Sequence, residues 1–209
     1  MTKAMPFLQK YDITFLRPPT IRAAVLLALL LAAAFAADRF CTARPDIAEM
    51  LSEQFEQAVE QSGAVDEEAG TIRLIPLFVQ NFRATALMTL LGFVPFLFIP
   101  VLPILSNGVF LGATTASLAA HGVSVWRMLL LGVLPHGIFE LPALALGAAA
   151  GICICNNLVR SIMKSGEAYP AKELALGIFK VYLCYILPLL VLAALTETYV
   201  STRLILCAL

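Results

Sequence analysis

From Ala84 to Ala120 the chain carries no charged side chain, and no other feature restricts its fold so strongly. A helix crosses a hydrocarbon core of about 30 Å with about 20 apolar residues. This stretch is too long for one crossing and predicts two short spans joined by a tight turn. The first should end near Ile99 and the second run roughly from Pro103 to Ala120, with Pro95, Pro100 and Pro103 making the join irregular. Irregular backbone survives at such depth only when it packs in protein or faces water. Composition agrees, since 60 % of the 209 residues are hydrophobic and 13 % charged, against about 25 % charged in soluble domains. The expected fold class is all-α, one polytopic membrane domain over residues 1–209.

Charge is segregated along the chain and predicts the topology. Lys3, Lys10, Arg17 and Arg22 face a single Asp12 before the apolar run from Ile21 to Ala37, so the N-terminus should stay in the cytoplasm. No small-residue cleavage site before a soluble domain marks that run as a cleaved signal, and it reads as the first span. Between Asp38 and Arg83 the acids Asp46, Glu49, Glu53, Glu56, Glu60, Asp66, Glu67 and Glu68 outnumber the arginines, which places residues 38–83 outside. Within that segment Ile47, Met50, Leu51, Phe55, Ala58 and Val59 recur at helical spacing. They predict an amphipathic helix, either lying on the bilayer or its own protein or docking a partner. Gly63 and Gly70 bracket an acidic turn, and Ile72, Ile75, Phe78 and Phe82 suggest an interfacial elbow around Pro76.

His121 to Arg127 then forms a short outer loop, and a fourth span runs from about Arg127 into Asn157. Arg160, Lys164, Lys172 and Lys180 outnumber Glu167 and Glu173 in the following cytoplasmic segment. A last span from about Leu174 to Leu195 leaves Glu197 and Arg203 outside. Five spans result, N-terminus in and C-terminus out, in the cytoplasmic (inner) membrane. No long repeat of the kind found in many secondary transporters is present. The balance of 14 basic and 14 acidic residues argues against nucleic acid as a partner, which calls for a basic excess or stripe.

The fourth span contains Leu134-Pro135-His136-Gly137-Ile138-Phe139-Glu140-Leu141-Pro142-Ala143, and Glu140 is the only acid between Glu68 and Glu167. An isolated ionisable group inside a membrane is by default a functional hypothesis. His136 lies one turn earlier on the same face. Pro135 suits the first position of a helix, so a half-helix starting at His136, with free amides aimed inward, is expected. His136, Glu140, Ala143, Gly147 and Gly151 form one stripe, with small residues at its last three positions. Small residues four apart admit a close helix neighbour, which would bury the polar pair against protein. Gly108, Gly112 and Ala116 form a matching stripe in the third span, preceded by Asn107.

These residues resemble the stage II sporulation protein M family of integral membrane proteins. The resemblance rests on the run Leu134 to Ala143, on Asn107-Gly108 with Gly112, and on Ala194-Leu-Thr-Glu-Thr-Tyr-Val-Ser201, and it covers most of residues 78 to 201. It implies a five-span protein without known catalytic activity. In spore formers the family's named member works with stage II sporulation proteins D and P, which remodel septal peptidoglycan during engulfment. Gln80-Asn81 stands where the family commonly has a paired Asn, and Gly92-Phe-Val-Pro95 replaces a more Gly-rich segment.

For His136 and Glu140 the residues leave three readings open: a hydrogen-bonded pair locking helices together, a proton or solute pathway, and metal ligation. A zinc site takes three or four protein ligands, and the second histidine, His121, falls in the outer loop, so no metal site is expected. Asn107 reads as a helix cap or interhelical bond, and Glu197 as a solvated or Arg203-paired carboxylate. Cys153 and Cys155, two apart on a helix, face different ways. Cys41 and Cys207 both fall outside, where free cysteines are the simpler account and a disulfide the alternative. There is no Gly-rich phosphate loop, nucleophile elbow or catalytic carboxylate pair, so no enzyme activity and no cofactor are expected. The expected role is a membrane scaffold for cell-envelope proteins, in contact with lipid. The alternative is a small transporter or lipid-handling protein using the His/Glu pair. Two small-residue stripes that cannot both be used in one register predict at least a homodimer.

Overall fold

The structure, a computed structural model, describes residues 17–61, 63–66, 71–164, 168–201 and 203–204. The expectations placed on Lys3, Lys10, Asp12, Glu67, Glu68, Gly70, Glu167 and Cys207, including the Cys41–Cys207 disulfide, lie outside the described residues. Six helices follow one another: α1 (Arg17–Thr42), α2 (Pro45–Gln61), α3 (Leu74–Leu90), α4 (Val101–Ala120), α5 (Val125–Met163) and α6 (Ala171–Ser201). All but α2 are long and apolar enough to cross a membrane, so the described residues contain five candidate spans, as the hydropathy predicts. A two-residue antiparallel pairing, Val65–Asp66 with Thr71–Ile72, closes the connection from α2 to α3.

The spans reach further than the charge pattern suggests. α1 continues to Thr42 and α3 begins at Leu74, which narrows the intervening segment from 38–83 to 43–73. Asp38 is a helical residue one turn from the end of α1; its carboxylate accepts a 2.9 Å hydrogen bond from Thr115 Oγ1 on α4 and pairs with Arg39. No elbow forms at Pro76. Proline is tolerated in the first turn of a helix, where its missing N–H has no intrahelical partner to lose, and α3 starts two residues before it.

Glycine sets the close contacts. On α4, a Cβ added at Gly108 would strike the backbone of Leu30 and the Cβ of Ala33; at Gly112 it would strike the backbone of Ala34 and Asp38. On α5, Gly147 lies against Thr85 of α3, and Gly151 against Met88 and Pro100. The two stripes therefore serve two different seams, α4 on α1 and α5 on α3, within one chain. That removes the small-residue argument for a dimer. The main core, Leu26, Leu30, Met88, Ile104, Leu144, Ala145 and Ala148, fills the space where α1, α3, α4 and α5 meet. The irregular join between α3 and α4 is packed as expected on one side, where Pro100 is fully buried. On its other side Phe93, Phe96, Leu97 and Phe98 are exposed, an apolar surface suited to lipid.

α2 does not lie apart from the bundle. Its Ala48, with Ile47 and Leu51, packs on Cys41, Ala113 and Ala116, and the Phe55 ring lies 5.7 Å from that of Phe110. At about 1.5 Å per residue, Phe110 is about 15 Å below the Ala120 end of α4. α2 thus descends along α4 while Asp46, Glu49, Glu53, Glu56 and Glu60 stay exposed along its outer side.

Candidate functional site

The helix expected to start at His136 is continuous from Val125 to Met163. Pro135 lacks an N–H and its ring crowds the carbonyl four residues back, a conflict that an α-helix meets by ending or by widening. Here it widens: Met128–Val133 is a π turn leading directly into Leu134 and Pro135. The same solution recurs in α6, where the π turn Tyr182–Ile186 precedes Pro188. The amides expected to be free at His136 therefore belong to a continuing helix. Pro142 lies inside that helix as well.

His136 and Glu140 project from α5 toward the end of α6, with side chains 16 % and 21 % exposed and Nε2 4.0 Å from Oε2. That separation is too long for a hydrogen bond. The other ring nitrogen, Nδ1, is 3.3 Å from Ser201 Oγ. α6 runs six residues beyond the expected Leu195 and ends in a third π turn, Glu197–Ser201. Glu197 and Ser201, four apart, both face α5. Glu197 is half-buried and joins the pair: its carboxylate, that of Glu140 and a ring nitrogen of His136 all lie within 4.8 Å of one another. The sequence offered one signal for this, an acid two residues after the apolar run of α6, at the same end of the bundle where α5 enters.

The small residues of the stripe lie below the cluster. Ala143 packs with Val181, Ile186 and Leu190, and Gly147 and Gly151 take α3. Gly137 is buried, but a Cβ there would meet only Val133 Cγ1 at 3.6 Å and Leu141 Cδ1 at 3.9 Å, ordinary contacts. Packing does not require that glycine. Asn107 is neither a cap nor an interhelical bond. Its Nδ2 donates to the Pro103 carbonyl one turn back, at 2.7 Å, the local side-chain-to-backbone alternative that Asn commonly takes.

Asn81 is 8 % exposed on α3, and its carbonyl accepts from Thr85 Oγ1 at 2.7 Å, while its Nδ2 is buried without a hydrogen-bond partner. Asn81, Thr85 and Thr89, four apart, begin a polar seam that sequence reasoning missed. Tyr182 Oη donates to the Thr85 carbonyl at 3.0 Å and lies 2.7 Å from Thr89 Oγ1, which donates to the Gly147 carbonyl at 2.9 Å. This network ties α3, α5 and α6 together about two to four turns along the helices from the cluster. Cys153 and Cys155 do face different ways, one receiving Arg22 Nη1 at 2.8 Å and the other directed at the Val94 carbonyl at 3.6 Å.

Three groups, an imidazole and two carboxylates, are thus held between two helices of a membrane bundle. They can exchange protons with one another, pair with a cationic group or ligate a cation. A family model, described as Stage II sporulation protein M, matches residues 22–202. No curated protein and no solved structure matches the chain.

Proposed function

The chain belongs to the stage II sporulation protein M family, and from that premise we propose that it is a non-enzymatic scaffold of the cytoplasmic membrane that positions cell-envelope proteins, among them those that remodel peptidoglycan. The observation that carries this reading is the placement of α2. Its apolar side is spent on α4, yet its exposed side bears Asp46, Glu49, Glu53, Glu56 and Glu60. Carboxylates are costly against lipid, roughly 2.5 to 3.5 kcal/mol each at the centre of a span, and α2 descends to the level of Phe110. This acidic ridge therefore calls for a covering of protein, a basic segment of an envelope partner or a second copy of the chain. In this reading the N-terminus is cytoplasmic, the C-terminus and α2 are outside, and the exposed Met50 and Phe55 form the edge of a homodimer.

The test replaces Glu49, Glu53 and Glu56 by Gln, which leaves Ala48 and Leu51 on α4 undisturbed, and compares the proteins that co-purify from native membranes. The variant should fold, insert and lose its envelope partners. A variant that keeps every partner and the wild-type phenotype refutes the docking role. The convergence of Glu197 on His136 and Glu140 favours a second reading, a small transporter or lipid-handling protein. Reconstituted protein with pH-dependent flux, lost in Glu140→Gln, is its signature.

A further inference from the structure

We propose that His136, Glu140 and Glu197 form a binding site for one divalent transition-metal cation of the Zn²⁺ class, which clamps the end of α6 onto α5. The proposal stands whether or not the α2 face docks a partner. One ligand set comes from one turn of α5 and the third ligand from the π turn that ends α6, and their ligand atoms all lie within 4.8 Å of one another. His136 Nε2 and Glu140 Oε2, at 4.0 Å, are too far apart to bond each other. Ligand atoms on one tetrahedral ion, each bonded at about 2.0 to 2.2 Å, lie about 3.3 to 3.6 Å apart, and a small rotation of the glutamate side chains closes the three groups to that spacing.

Two further features point to a cation. His136 Nδ1 faces Ser201 Oγ at 3.3 Å; a proton on Nδ1 donated to that hydroxyl leaves the Nε2 lone pair directed at the carboxylates. An acceptor on the far side of the ring that fixes the tautomer in this way is the usual companion of a metal-bound histidine. The donor set is the other: an imidazole nitrogen and two carboxylate oxygens from two different helices converge on one point. A helix lock alone has no need of two carboxylates, because a neutral amide hydrogen-bonds as well without the desolvation cost. The donor set of one imidazole and two carboxylates selects borderline and hard divalent ions over Cu⁺. Three protein ligands also leave a coordination position open.

The experiment uses the full chain, purified in mild detergent, stripped with chelator and titrated with Zn²⁺ and, separately, Co²⁺. Wild-type protein should take up one Zn²⁺ per chain, gain thermal stability with rising Zn²⁺, and show the intense visible bands of low-coordinate Co²⁺. Glu197→Gln should weaken Zn²⁺ binding by about 100-fold or more, and Ser201→Ala by about 10-fold, within the range for an outer-shell partner. His121→Ala, on the exposed loop before α5, should bind as wild type. Absence of uptake by the wild type overturns the site, as does uptake unchanged in Glu197→Gln. If Glu197→Gln does not fold, the wild-type Co²⁺ spectrum decides: the weak absorption of a hydrated octahedral ion refutes enclosure by these three side chains.

Discussion

Gly112→Ala should destabilise the protein by about 2 to 3 kcal/mol, and Gly137→Ala should leave it within about 0.5 kcal/mol of wild type. The difference follows from what each new methyl group meets. At residue 112 it would lie 2.7 Å from Asp38 N and 2.8 Å from Ala37 Cβ, and closer still to the Ala34 carbonyl. Two are backbone atoms of a long helix and the third a Cβ fixed to it, and none can rotate aside. Ordinary contact begins near 3.5 Å, so α1 and α4 must part by about 1 Å along the seam. With about 40 atom pairs across that seam, each worth ~0.1 to 0.2 kcal/mol and losing a quarter to a half, the loss is about 1 to 4 kcal/mol. The Thr115–Asp38 bond, now 2.9 Å, would stretch out of range and add about 0.6 kcal/mol. Residue 137 meets only side-chain atoms at 3.6 and 3.9 Å, so nothing needs to move. Thermal melting of both variants in one detergent reads the contrast, with Gly112→Ala lower by about 4 to 10 °C. A Gly112→Ala protein that melts with wild type, or a Gly137→Ala protein that falls as far, refutes the seam geometry.

Glu140→Ala, which opens a gap between α5 and α6 beside His136, should be less stable than wild type by about 0.5 to 3 kcal/mol, while Glu140→Gln, which keeps the shape, should melt close to it. Equal melting of the alanine variant and wild type contradicts a packed polar cluster. Tyr182→Phe removes the hydroxyl joining α6 to Thr85 and Thr89. Because Thr89 keeps its bond to Gly147, the cost should stay at or below about 1 kcal/mol, and a larger loss in the same melting assay shows that the network matters more than its pairs. For topology, an impermeant maleimide should label a cysteine placed at Glu53 in intact cells and one placed at Lys164 only after lysis, each in a background with Cys184 and Cys207 replaced by Ser. The reverse pattern overturns the assigned orientation.

Hydropathy alone determined the five spans, because a bilayer has no water to satisfy backbone groups and helices are the economical answer. The stripe from Ala143 to Gly151 was legible as a packing face because small residues four apart have few other uses in a span. What faces such a stripe was not legible. The third and fourth spans each carry one, yet α4 closes on α1 and α5 on α3, since many pairings satisfy the same spacing and only the simultaneous fit of all five helices selects among them. The helix expected to begin at Pro135 continued instead, because a π turn relieves the proline at a cost that neighbouring helices cover, and no sequence pattern records that support. Glu197 marks the same boundary most clearly. Along the chain it is an acid just past the end of an apolar run, and local rules put it in water. It joins His136 and Glu140 because α6 overruns its apolar segment by a widened turn and meets α5 there, a meeting of residues far apart in sequence that only tertiary packing brings about.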